Sequence, residues 1–504
     1  MLSFEHPSQA HVACQHDFKD LRLLSPPTVH YSAPRLSADR RAHPHTRPPT
    51  RPANALNSVL TIAPNFPSLK ASRDGQANYL TAAVPALAKL SGANVTVLAL
   101  RFGDQPETET GPGWTVRRVD PPKPMDSVFD LYLPKHLRRS IESLHNAAVI
   151  QSKSMDPDTP VWAHGYETGT IVEALVKQGR HVVAVPHYLV GVETLHDLAL
   201  GDDAIRRDSF NSPWATALGQ LTPKAARPMG VRWASRLGSI ARFGVWPSAI
   251  KTQFSKLDLE RRMVSNASHL VAVGPSFEAE MHSLYPCTVG RSREVIAGGP
   301  TELPAAKWPW RRKPGSFRIA MVGRPTGQKG WDYAAEAIAR LEGPEQDRVE
   351  LSVIGGLGTG SGPYSDYSQR VSAQFDAIGL NRFANLGELS HEDTLAHLVG
   401  ADLLLFPSVF EPLGLVLIEA MTAGCCVLAS DAAGPSDVVS HPWGRRVPFA
   451  DPTQRAERLT EALQSFLHTD MSVLAQWSTA ARVAGARHTW AQCAAVHLDA
   501  LRAR

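Results

Sequence analysis

Cysteine is scarce in this chain of 504 residues: there are five, at positions 14, 287, 425, 426 and 493. None of their spacings is that of a zinc site, and an odd number leaves one thiol outside any disulfide framework. A reducing, cytoplasmic compartment suits that pattern. Cys425 and Cys426 fall where a helix should hand over to a strand, so both are expected as small buried thiols without chemistry. Long hydrophobic runs are missing as well. Nothing approaches the ~18 apolar residues of a membrane span, and the first residues lack the apolar centre of a signal peptide. Charge of one sign is in short supply too: 52 Lys and Arg against 48 Asp and Glu leave a net +4, which gives no reason to expect a nucleic-acid surface.

What remains is ordinary for a globular protein, with 43% hydrophobic and 20% charged residues. The length exceeds what one core usually supports, so about two or three domains are expected. Residues 1–56, rich in Pro, Arg and His, cannot bury enough surface to order themselves and read as a disordered tail. Order begins at "NSVLTIAPNF", a short apolar run from Val59 to Ala63. A polar loop, a helical pattern stopped by Gly92 and a second strand, "ANVTVLALRF", complete a βαβ unit. Such a unit builds a parallel sheet whose ligands gather at the strands' carboxyl ends. The rhythm continues through "TPVWAHG", "HVVAVPHYL" and "RRMVSNASHLVAVGPSFEAEMHSLY", giving one doubly wound domain over residues 57–300.

That rhythm fails at about 203–256, where arginines and lysines are interleaved with Trp214, Trp233, Phe243 and Trp246. A solvated helical insertion and a basic, membrane-surface helix both fit. A Pro-rich, charged bridge at 301–316 follows, and the strand–loop–helix pattern then restarts over 317–485. Two Rossmann-like domains facing across a cleft make that cleft the default ligand site.

Two constellations in the second domain carry chemistry. In "MVGRPTGQKGWDY" a strand runs into Gly323, Arg324, Gly327, Lys329 and Gly330 before a helix begins. The glycines permit close backbone approach, the helix start offers free N–H donors, and Arg324 and Lys329 add two cations, which together fit a polyphosphate or diphosphate cradle; taken by itself, the segment also fits a solvated basic loop. The loop is neither G-x-x-x-x-G-K-[ST] nor G-x-G-x-x-G. In "FPSVFEPLGLVLIEAMTAG", Glu411 stands in a loop and Glu419 on the helix that follows. Carboxylates there can accept hydrogen bonds from sugar hydroxyls, and the Leu413-Gly414-Leu415 amides can add donors; simple helix-start favourability would explain either glutamate taken singly.

The second segment resembles the E-x7-E segment of retaining glycosyltransferases of the GT-B fold, the large family 4-like, group 1 assembly. "VGRPTGQKGWDYAAEAI" resembles that family's G-R…K-G loop, and "LNRFANLGELSHEDTLAHLVGADLLLFPS" resembles the stretch just upstream of E-x7-E. The likeness runs over about 57–500, specific in the second half and diffuse in the first. It implies an α/β, GT-B architecture and a hexosyltransferase that moves a sugar from a nucleoside-diphosphate donor to a hydroxyl acceptor, be it glycan, glycolipid or small molecule. Arg324 and Lys329 would then bind the donor diphosphate, Glu411 and the backbone after it the donor sugar, and Glu419 the ribose. "PNFPSLKASRDGQANYL" matches the family's glycine loop, with Gly75 present and Asp74 where relatives commonly have a second glycine. His187 matches a histidine that family members often carry beside the reacting sugar, and His164 a less constant one. The helix in 486–504 resembles one that crosses back to the first domain.

The family's mechanism implies departure of the nucleoside diphosphate on the face where the acceptor attacks, without a protein nucleophile. No convincing D-x-D metal loop occurs, since "MDPD" at 155–158 precedes a strand at its amino end, so no metal or other cofactor is expected beside the donor co-substrate. For the acceptor, Lys70 and Arg73 would suit a phosphate or carboxylate, while Glu167, Glu193 and Asp197 would suit an amino sugar or aminocyclitol; ordinary surface charge explains both sets equally well. A binding protein without turnover and a GT-B sugar-nucleotide epimerase share the fold and stand as alternatives.

Overall fold

The computed structural model describes residues 56–67, 75–126, 128–131, 136–194, 231, 248–359 and 365–503. Lys70, Arg73, the tail through residue 55 and most of the 203–256 segment lie outside the described residues.

Eight strands make the first sheet: β1 (Ser58–Ile62), β2 (Asn94–Leu100), β3 (Thr108–Gly111), β4 (Trp114–Val119), β5 (Val161–His164), β6 (Val182–Val185), β7 (His269–Ala272) and β8 (Ser292–Glu294). Their spatial order is β3-β4-β2-β1-β5-β6-β7-β8, parallel throughout except for the β3–β4 edge hairpin. The second sheet contains β9 (Phe317–Val322), β10 (Val349–Ile354), β11 (Phe383–Asn385), β12 (Leu403–Phe406), β13 (Cys426–Ser430) and β14 (Gly444–Val447), all parallel, in the order β11-β10-β9-β12-β13-β14. Relative to the first strand of each run, both orders reverse direction after one flank is filled, which is the doubly wound Rossmann arrangement.

The inner strands are apolar on both faces because helices cover both faces. Every residue of β5, β6 and β12 is buried. In the helix Gly75–Ser91, Leu80, Val84 and Leu87 recur along the stripe that meets the sheet. Gly92, at φ +67°, ends that helix by donating from its N–H to the Ala88 carbonyl at 3.0 Å. Cys425 and Cys426 are buried at the opening of β13, where burial pushes both thiols up, Cys426 to about 12.

The helix Ser248–Asn266 takes in the last nine residues of the irregular segment 203–256, so the doubly wound pattern resumes earlier than the sequence suggested. It lies so close to the helix Gly169–Lys177 that a Cβ on Gly169 would stand 1.9 Å from the Leu259 carbonyl oxygen. The bridge between the sheets is pinned to the second domain: Lys307 donates its N–H to the Ala396 carbonyl at 2.9 Å, and Trp308 Nε1 donates to Glu350 at 2.9 Å. The helix Trp490–Arg502 packs on the amino-terminal helix Gly75–Ser91, with Tyr79 Oη 3.1 Å from Cys493 Sγ and 2.5 Å from His497 Nε2. Among the described residues, no helix is long and apolar enough to cross a membrane.

Candidate active site

β9 and β12 are neighbours, and between them the order of the second sheet reverses. Loops leaving the carboxyl ends of two such strands diverge to opposite faces and open a crevice. Gly323 and Arg324 leave β9 there, and Pro407 to Gly414 leave β12. Gly323 takes φ +142° and donates its N–H to the Ile354 carbonyl at 3.0 Å, which turns the chain across β10. Gly355 sits so close below that a Cβ on it would lie 1.7 Å from the Gly323 oxygen. Gly330, at φ +63°, lets the Pro407 carbonyl approach to where a Cβ would stand only 2.1 Å from it. Val409 N–H then donates to the Gln328 carbonyl at 2.7 Å, joining the two loops.

This packing carries Lys329 to Glu411. Their Nζ and Oε2 atoms are 2.5 Å apart, and the ammonium also stands 5.3 Å from the centre of the Phe406 ring. Glu411 is 8% exposed, its backbone oxygen accepting from Gly434 N–H at 2.8 Å. Arg324 is exposed on the same turn. Gly414, left-handed at φ +78°, caps the helix Leu415–Ala423 with no side chain, so the first amides of that helix have no intrahelical acceptor. Glu419, on that helix, reaches a different partner, His391 Nε2 at 2.9 Å. The two glutamates therefore serve separate neighbours: Glu411 answers the basic loop, and Glu419 the start of the helix His391–Gly400.

On the first domain, His164 ends β5 and His187 lies two residues past β6, its N–H bonded to the Val185 carbonyl. His164 Nδ1 and His187 Nε2 are 2.9 Å apart, with the rings 18° from parallel. Burial, the first cause, and the neighbouring histidines hold His164 well below the ordinary histidine range; burial lowers His187 too. Tyr79 sets its ring edge to His187 at 4.7 Å. Gly75 opens the helix bearing Tyr79, and a Cβ there would meet nothing within 4 Å, so packing does not explain the glycine. Glu167 and Glu193 are buried near Lys256, whose ammonium burial pushes down while both carboxylates pull it up. Asp197 lies outside the described residues.

The two halves meet through residues that sequence reasoning did not single out. Tyr188, next to His187, sets its ring against Phe410, next to Glu411, with centroids 5.6 Å apart at 78°. That contact brings the chain around His187 close to the chain around Glu411. A pair of adjacent aromatics beside the motif residues was the available signal, but aromatics so placed read equally well as core. His391 had none.

Residues 304–483 match the family described as "Glycosyl transferases group 1". The chain is 34% identical over 160 residues to 2-deoxystreptamine glucosyltransferase of Streptomyces kanamyceticus, an alignment covering 31% of this chain and 38% of that protein. It is 27% identical over 251 residues to D-inositol 3-phosphate glycosyltransferase of Pseudarthrobacter chlorophenolicus, covering 48% and 58%. Sucrose-phosphate synthase from Thermosynechococcus elongatus superposes with a TM-score of 0.64 at 19% identity over 88% of this chain and 98% of that one. The catalytic domain of starch synthase IV from Arabidopsis thaliana, bound to ADP and acarbose, gives 0.59 at 14% identity over 89% and 99%. The fold is GT-B, two Rossmann-like domains about a cleft. Within its second half, residues 304–483 are similar to group 1 glycosyl transferases. The chain spans 38% and 58% of the lengths of the two curated relatives named.

Proposed function

We propose that this chain is a retaining hexosyltransferase that moves a sugar from a nucleoside-diphosphate donor to a hydroxyl-bearing acceptor, with no metal ion in the transfer. The observation that carries the reading is the Lys329–Glu411 pair at the point where the second sheet reverses, with the free helix start at Gly414 beside it. A diphosphate entering there meets Arg324, Lys329 and helix-start amides, the donors that stabilise charge developing on a leaving phosphate. Lys329 would then exchange part of its contact with Glu411 for phosphate oxygen, freeing the carboxylate to accept from sugar hydroxyls. Glu419 would take the ribose diol, and His187 would face the sugar from the opposite wall.

In the transfer, the bond from the anomeric carbon to the diphosphate oxygen breaks as the acceptor oxygen bonds to the same face. The acceptor proton passes to the departing diphosphate. Nothing in that sequence requires a protein nucleophile, and the cations of the basic loop take the electrostatic part that a metal would otherwise supply. The names of the relatives favour a small cyclitol or a sugar as acceptor: one carries 2-deoxystreptamine in its name, another inositol 3-phosphate.

A donor screen tests the reading. Purified protein is incubated with UDP-, GDP-, ADP- and dTDP-sugars, with and without EDTA, and nucleoside diphosphate release is followed with pooled cyclitol and sugar acceptors. Release from one donor, indifferent to EDTA and lowered at least about 100-fold in Lys329→Ala and Glu411→Ala, is expected. Tight donor binding with no release under any acceptor would replace the transferase with a sugar-nucleotide-binding protein. Release abolished by EDTA would overturn metal independence alone.

A further inference from the structure

The contact between His164 Nδ1 and His187 Nε2, at 2.9 Å, holds a single proton, so one ring donates and the other accepts. The far nitrogens decide which. His164 is fully buried and its Nε2 has no hydrogen-bond partner; the Trp162 ring lies 4.3 Å away and Tyr79 6.5 Å. An orphaned N–H in such surroundings is rarer than an orphaned acceptor, because the donor forfeits its whole interaction with water. The His164 proton therefore belongs on Nδ1, aimed at His187. Having accepted through Nε2, a neutral His187 must carry its own proton on Nδ1. Among the described residues that nitrogen has no partner, and it is not among the buried atoms lacking one, which leaves it open on the half-buried side of the ring.

We propose that His164 is a positioning residue: by donating from Nδ1 it fixes His187 as the Nδ1–H tautomer, so that His187 offers the cleft a neutral hydrogen-bond donor and never a general base. Burial supports this by keeping both rings uncharged near neutrality. The group that meets the donor would be an acceptor oxygen of the bound ligand, and that part rests on the transferase reading above. The tautomer itself does not.

The test is a long-range proton–nitrogen correlation spectrum of the full chain labelled with 15N-histidine at pH 7, with His187 assigned by the signals lost in His187→Phe. The expected spectrum shows His187 protonated on Nδ1 and bare on Nε2. In His164→Leu the lock is gone and the Nε2–H form should appear; His164→Asn, whose amide can put an N–H near the former Nδ1, should keep the Nδ1–H form. In donor turnover, His164→Leu should lower kcat about 10- to 100-fold, the range typical of partners that orient a functional imidazole, and His164→Asn should recover most of it. The donor KM should move less than about threefold in either variant. A wild-type His187 protonated on Nε2 overturns the proposal even if His164→Leu does not fold, and so does a tautomer unchanged in that variant. If the spectra agree while no donor is turned over, the transferase reading falls and the tautomer assignment stands.

Discussion

Lys329 and Glu411 are 82 residues apart in the chain, yet each was legible on its own. A glycine-framed basic loop after a strand, and a carboxylate in a Pro-Leu-Gly turn, are local patterns that a sequence displays directly. Their pairing is not local, because it depends on how Gly330 and Gly355 let two loops close to backbone contact. Gly355→Ala combines φ +136° with a Cβ 1.7 Å from the Gly323 oxygen, and should lower unfolding free energy by about 2–4 kcal/mol in urea melts while displacing the glycine-framed basic loop that follows Gly323. Gly75→Ala is the contrast. With open space around its Cβ, it should change stability by less than about 0.5 kcal/mol, so any loss of donor affinity measured by calorimetry reports on binding. Glu419→Gln keeps the side chain's shape but weakens its acceptor; a several-fold rise in donor KM with kcat nearly intact is expected if the carboxylate holds the ribose.

At the level of elements, the buried parallel strands were readable because each is a short apolar run, "VLTI", "VVAV" or "LLLF". The β3–β4 hairpin escaped notice for the opposite reason. β3 alternates between exposed and half-exposed residues at a sheet edge, and "TETG" offers no apolar signal. The start of the helix Ser248–Asn266 was hidden in a basic, aromatic-rich stretch that shows no clear helical apolar period. The helix Trp490–Arg502 makes a testable electrostatic statement. His497 is fully buried, and burial pushes it down to about 3, against an ordinary value near 6.5 in the unfolded chain. Its folded value is depressed, so above about 6.5 both states are neutral and its contribution to stability is complete. As pH falls from about 6.5 toward 3, the unfolded chain takes up a proton that the folded one refuses, and stability is lost. Replacing it by Gln removes that one proton: the slope of unfolding free energy between pH 6 and 4.5 should flatten by about 1.4 kcal/mol per pH unit relative to wild type. An unchanged slope would mean that His497 is protonated in the fold.

Over the whole molecule, the two domains are also joined beside the Glu411 turn, through the short helix Ala433–Val438 whose Gly434 N–H reaches the Glu411 carbonyl. Asp437, on the second domain, receives the backbone N–H of Ser276 at 3.1 Å and its hydroxyl at 2.5 Å, capping the first-domain helix Pro275–Leu284. Gly274 makes room for it, since a Cβ there would lie 2.4 Å from the carboxylate. A cap supplied across a cleft ties helix stability to domain position. Asp437→Ala should cost about 0.5–2 kcal/mol and widen the molecule in solution scattering, and saturating donor should reverse the widening. No widening would mean that the Tyr188–Phe410 contact and the helix Trp490–Arg502 hold the domains without it. That helix also bears on how the protein is made. Tyr79 finds Cys493 and His497 only 414 and 418 residues further along the chain. A ribosome releases the first sheet long before those partners exist, so the amino-terminal domain must wait, incompletely covered, through the synthesis of the whole second domain. A nonsense codon ahead of Trp490 would spare both sheets and every motif residue, and yet leave the face around Tyr79 bare to chaperones and proteases.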